Sequence, residues 1–102
     1  MDAAHDVLRY ADVVLDEARH EVYRGGTRIE LTATEFNLLR YFLQNPQRVL
    51  SKGQILEHVW RGELETSNVV ETYVSYLRRK LDAAGPSMIK TVRRSGYKLE
   101  WR

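Results

Sequence analysis

The stretch from Thr66 to Leu81, TSNVVETYVSYLRRKL, constrains the fold more than any other. At 100° per residue, Val70, Val74, Leu77 and Leu81 stand at i, i+4, i+7 and i+11 and make one apolar stripe. A helix with such a stripe needs a core to face, so the surrounding chain has to supply one. Its opposite side carries Asn68, Thr72, Ser75, Tyr76 and Arg79, with Arg78 and Lys80 on the flanks. Groups of these kinds read base edges and grip phosphates. Any amphipathic helix has a polar back, however, so the neighbouring segments decide between a solvated face and a recognition face.

Upstream, VLRYADVVLD, HEVYRG and TRIEL are short segments rich in β-branched and aromatic residues, with a further break at Tyr10 to Asp12. They predict an antiparallel sheet of three or four strands. Gly25-Gly26 marks a tight hairpin, because glycine reaches the positive φ angles such turns need. Thr32-Ala33-Thr34-Glu35 has the form of a capping box opening a first helix, with Phe36, Leu39, Phe42 and Leu43 on its buried face. That helix should end at Gln44-Asn45-Pro46, where proline disfavours continuation. Val49-Leu50 reads as a short extended link. Ser51 caps a second helix to about Trp60, with Ile55, Leu56 and Val59 inward. Arg61, Gly62, Glu63, Leu64 and Glu65 form a loop before the amphipathic stretch, and Asp82 to Pro86 stops that third helix. Met88 to Val92 and Tyr97 to Trp101 predict a closing hairpin with Arg93 and Arg94 at its tip.

Charge sharpens this layout. Residues 1 to 75 hold 8 Lys/Arg against 12 Asp/Glu, a balance of −4, whereas residues 76 to 102 hold 8 against 2, a balance of +6. A basic last quarter suits a polyanion, with nucleic acid ahead of an acidic protein or a membrane surface. Four to six phosphate contacts drawn from Arg78, Arg79, Lys80, Lys90, Arg93, Arg94 and Lys98 would give a log K against log[salt] slope of roughly −4 to −5.

At 102 residues the chain is read as one domain, residues 7 to 102, preceded by a loose linker or expression remnant at residues 1 to 6. It contains no cysteine, no apolar run of membrane-spanning length and no signal-peptide pattern, and is expected in the cytoplasm. Three helices followed by a basic hairpin give an α+β winged helix-turn-helix, with an N-terminal antiparallel sheet and a C-terminal β-hairpin wing.

The segments LTATEFNLLRYFLQNPQRVLSKGQILEHVW, VVETYVSYLRRKL and IKTVRRSGYKLEW resemble, in order, landmarks of the C-terminal effector domain of OmpR/PhoB-type response regulators, especially actinobacterial members. Lys52 stands where arginine is common, and Arg94 where the wing usually has glycine. The resemblance implies sequence-specific double-stranded DNA binding for transcription regulation in a two-component phosphorelay. It puts the third helix in the major groove and the wing arginine in the minor groove. By position it implies base- and backbone-facing roles for Asn68, Thr72, Ser75 and Tyr76, phosphate contacts for Arg78 and Arg79, and wing contacts for Thr91 and Arg93, with Arg94 as an added charge. It further implies tandem half-sites with A·T-rich flanks, and for the loop Arg61 to Glu65 an RNA polymerase contact, with a solvated connector as the alternative reading. A receiver domain and a sensor kinase would belong to the full-length protein, and the isolated domain would be a monomer without DNA.

Two alternatives are a basic protein-interaction module that binds an acidic partner, and an RNA-binding domain; the latter lacks an aromatic-bearing sheet motif. No catalytic, metal or cofactor site is expected. Glu57 and His58 are adjacent but point about 100° apart on a helix, and there is no phosphate-cradling glycine loop. Trp60, Tyr41 and Tyr73 are read as packing residues, and Tyr76 as outward.

Overall fold

In a computed structural model, residues 6–61 and 68–101 are described. They form the α+β order β1 (Val7–Tyr10), β2 (Val13–Asp16), β3 (Glu21–Arg24), β4 (Thr27–Ile29), α1 (Ala33–Gln44), α2 (Lys52–Trp60), α3 (Val69–Asp82), β5 (Ile89–Val92) and β6 (Gly96–Leu99). The first four strands make an antiparallel meander in the order β1-β2-β3-β4; β5 and β6 pair separately as the wing.

Local chemistry sets most boundaries. Arg24 pairs with Thr27, leaving Gly25 and Gly26 as a two-residue turn with φ of 56° and 83°, both in the region glycine enters without steric cost. Tyr10 pairs with Val13 across Ala11-Asp12, so the break foreseen near Tyr10 is a hairpin turn, with Ala11 at φ 53°. Asp6 is already part of the fold, its carbonyl accepting the Glu17 N–H at 2.6 Å. Thr32 and Glu35 form the reciprocal capping box of α1. Ser51 does the same with Gln54 at α2, a second box of which only the serine was read from the sequence.

The stripe of α3 is buried as its spacing requires: Val70, Val74, Leu77 and Leu81 are at most 2% exposed. Each contributes about 1.5–3 kcal/mol by leaving water. They share one core with Val13, Leu15 and Val22 of the sheet, Leu38, Leu39 and Phe42 of α1, and Met88, Ile89 and Leu99 around the wing. On α2 only Ile55 is fully buried; Leu56 and Val59 are half-covered. The helix α3 runs one residue beyond Leu81 to Asp82. Thr66 and Ser67, expected in its first turn, lie outside the described residues, as do residues 62–65 of the preceding loop. No helix among the described residues is long and apolar enough to cross a membrane.

Candidate nucleic-acid interface

The outer face of α3 is presented to solvent by the burial of its stripe. Asn68 occupies the N-cap position but its side chain makes no capping bond, so its amide is exposed for another partner. Ser75 and Arg79 are exposed, and Thr72 is half-buried. Tyr76 is 41% exposed. Its ring is held edge-on by Tyr73 at 5.3 Å, and Tyr73 in turn meets Trp60 at 5.5 Å. The packing roles expected for Trp60 and Tyr73 therefore also steady the one outward aromatic of the helix. Tyr41 stacks on His58 at 3.9 Å.

The wing is locked against the helices from two sides. Leu50 and Tyr97 exchange backbone hydrogen bonds at 2.8 and 3.0 Å, so the link before α2 docks onto β6. This approach explains Gly96: a Cβ there would lie 2.0 Å from the Leu50 carbonyl oxygen. From α3, the Arg78 Nη2 donates to Thr91 Oγ1 at 3.1 Å, and the guanidinium carbon sits 5.8 Å from the Tyr97 ring centroid. Arg78 Nε is buried with no partner among the described residues. Arg78 and Thr91, expected as separate DNA contacts, are thus bonded to each other and join the helix to the wing.

At the wing tip, Ser95 N–H donates to the Val92 carbonyl at 2.9 Å, closing a turn in which Arg94 is the second central residue at φ 66°. Glycine favours that position, which is the physical sense of the departure noted at Arg94. Arg93, Arg94 and Thr91 are exposed. A cleft of about 310 Å³ between the tip and the start of α2 is lined by Ser51, Lys52, Thr91, Arg94, Ser95 and Tyr97.

Two expected phosphate contacts are engaged elsewhere. Lys80 Nζ donates to Glu35 Oε1 at 2.6 Å, and Lys98 is paired with Glu100 at 3.5 Å. Burial acts to raise the Glu35 pKa. The hydrogen bond from Lys80, the Thr32 N–H and the nearby ammonium charge outweigh it and hold the carboxyl below its usual range. Lys52 is bonded to Glu71 in the first turn of α3; that bond lowers the Glu71 pKa and raises that of Lys52. By contrast Arg79, Lys90, Arg93 and Arg94 pair with no carboxylate among the described residues. Arg61 is the exposed C-cap of α2 at φ 56°; Gly62, Glu63, Leu64 and Glu65 lie outside the described residues. Among the described residues no group of three or more His, Asp or Glu could hold a metal.

Sequence reasoning missed Arg24. It shares the inward face of β3 with Val22, is fully buried, and donates to the carbonyls of Leu81 in the last turn of α3 and of Pro86 beyond it.

A three-helix core whose last helix and β-hairpin turn exposed arginines and polar side chains outward defines a winged helix-turn-helix DNA-binding domain. Residues 26–99 match the family model described as "Transcriptional regulatory protein, C terminal". The chain is 52% identical over 94 residues to the probable transcriptional regulatory protein TcrX of Mycobacterium tuberculosis, covering 91% of this chain and 40% of that protein. It is 50% identical over 101 residues to the response regulator MprA of the same organism, covering 96% and 44%. The Klebsiella pneumoniae RstA DNA-binding domain, solved in complex with RstA box, superposes with a TM-score of 0.82 at 26% identity, covering 94% of this chain and 98% of that one. The chain belongs to this family, as a DNA-binding effector domain of the OmpR/PhoB response-regulator type. It spans less than half the length of these two mycobacterial relatives.

Proposed function

We propose that α3 enters the major groove and reads base edges through Asn68, Thr72, Ser75 and Tyr76, while Arg93 reaches from the wing into an adjacent, A·T-rich minor groove. Arg79 and Arg94 grip phosphates; Arg78 and Thr91, bonded together, flank the same face. The observation that carries this reading is the division of the basic residues. Arg79 of α3 and Lys90, Arg93 and Arg94 of the wing lack carboxylate partners among the described residues, whereas Lys80 of α3 and Lys98 of β6 have them. A narrow A·T-rich groove has enhanced negative potential and attracts such an arginine.

In the full-length protein this domain acts in the cytoplasm behind a receiver domain addressed by a sensor kinase. It binds tandem half-sites, and the loop Arg61 to Glu65 touches RNA polymerase. The isolated domain is a monomer without DNA.

Titration with duplex DNA, single-stranded RNA and an acidic peptide at two salt concentrations tests the reading. Preference for one duplex sequence, reduced by Asn68→Ala or Tyr76→Ala, is expected. Equal weak binding to all three, unchanged by either substitution, would overturn it; tight binding to the peptide alone would favour an acidic protein partner.

A further inference from the structure

Arg24 ends β3 and has no exposed surface. Its Nη1 donates to the Leu81 carbonyl at 2.8 Å, in the last turn of α3, and its Nη2 to the Pro86 carbonyl just beyond the helix. Its Nε donates to Asp12 Oδ1 at 3.3 Å in the β1–β2 turn, and the Trp101 ring centroid lies 5.9 Å from the guanidinium carbon. Gly85 completes the cradle: a Cβ at that position would stand 2.8 Å from Arg24 Cζ and Nε.

A buried guanidinium is a poor way to gain stability, since apolar packing of the same volume often serves as well or better. What its planar fork supplies is direction. Here the fork holds two carbonyls, one at the end of the helix and one on the segment that leads to the wing. The cation also sits at the end of α3 where the helix dipole is negative.

We propose that Arg24 is a positioning residue for DNA recognition. Acting through the Leu81 and Pro86 carbonyls, it sets the tilt and axial position of α3 from the N-terminal sheet, and with them the register of Asn68, Thr72, Ser75 and Tyr76 on the base edges. This rests on the reading of α3 as the sequence-reading element. Arg24 is buried away from solvent, so phosphate affinity is set elsewhere, by Arg79 and Arg94. Loss of the clamp should therefore blunt discrimination and leave sequence-independent binding intact. Each well-placed base contact is worth about five- to a hundredfold in discrimination.

The test compares the wild-type chain with Arg24→Met and Gly85→Ala on a duplex selected from a random pool and on its scrambled counterpart, across a salt series. Arg24→Met removes the fork while keeping an apolar side chain in the site; Gly85→Ala keeps the arginine but brings a Cβ within 2.8 Å of its guanidinium, so that the fork must shift. Both should lower the ratio of selected to scrambled affinity about tenfold or more, with scrambled affinity and salt slope unchanged. Arg24→Lys, whose single ammonium lacks the fork, should fall between. Variants that are less stable to heat but discriminate as wild type below their melting temperature overturn the proposal and leave Arg24 a stabilising clamp. If Arg24→Met does not fold, Gly85→Ala decides by the same ratio. A wild-type chain that prefers no sequence overturns both this proposal and the reading beneath it.

Discussion

Basic side chains in the last quarter of the chain divide by whether a carboxylate has claimed them, and that division governs what single substitutions should do. Arg79 is exposed on α3 and Arg93 on the wing tip, each without a described carboxylate partner. Arg79→Ala should weaken all duplexes about equally, whereas Arg93→Ala should weaken chiefly those with A·T-rich flanks. Binding titrations on paired sequences check this, and equal losses on every sequence would refute the division of labour. Lys80 behaves differently, because Glu35 is 3% exposed and holds it from α1. The Glu35 pKa is lowered in the folded state, so its contribution to stability is full above the ordinary carboxylate pKa and is lost as pH falls through the folded value. Glu35→Gln keeps a residue able to complete the capping box but removes the titration. Its unfolding free energy, measured by urea denaturation from pH 6 downward, should therefore fall less steeply with acid than that of the wild type.

Among the elements, the wing turn shows how a departure from the family pattern acts through backbone conformation. Arg94 sits at φ 66°, a region that costs a residue with a Cβ roughly 1–2 kcal/mol. Arg94→Gly should stabilise the domain by up to about 1 kcal/mol, the gain being trimmed by glycine's larger freedom in the unfolded chain. The same change should make the salt slope shallower by about one, because a phosphate-reaching cation is lost. A urea midpoint that rises while DNA affinity falls would show both effects in one protein. Helix starts were legible because Thr32 with Glu35, and Ser51 with Gln54, act over three residues. At α2 the serine alone marks the start, and Gln54 closes the box as readily as a glutamate would.

For the molecule as a whole, the ion pairs alter the electrostatics that charge counting suggested. With Lys80 and Lys98 paired and Arg78 tied to Thr91, four of the seven cations named from the sequence, Arg79, Lys90, Arg93 and Arg94, have no carboxylate partner among the described residues. The salt slope should then be about −3 to −4 in place of the −4 to −5 expected from counting. Fluorescence titrations at several salt concentrations measure it directly. The free domain should sediment as a monomer at micromolar concentration; a tight dimer would contradict the proposed assembly on DNA.

Periodicity, caps and turn glycines are interactions within a few residues, so the sequence by itself determined the order of elements, the buried stripe of α3 and the polar face opposite it. It could not determine which basic groups remain available. Arg24 meets Leu81 across 57 residues, and Lys80 meets Glu35 across 45. Such pairs form only when distant elements pack, and their partners, backbone carbonyls and a carboxylate already used in a cap, carry no local signature. Only the tertiary structure decided that Arg24 bonds the end of α3, that Arg78 bonds the wing and that Lys80 pairs with Glu35, because burial and long-range approach, not residue type, choose the partner of a cation.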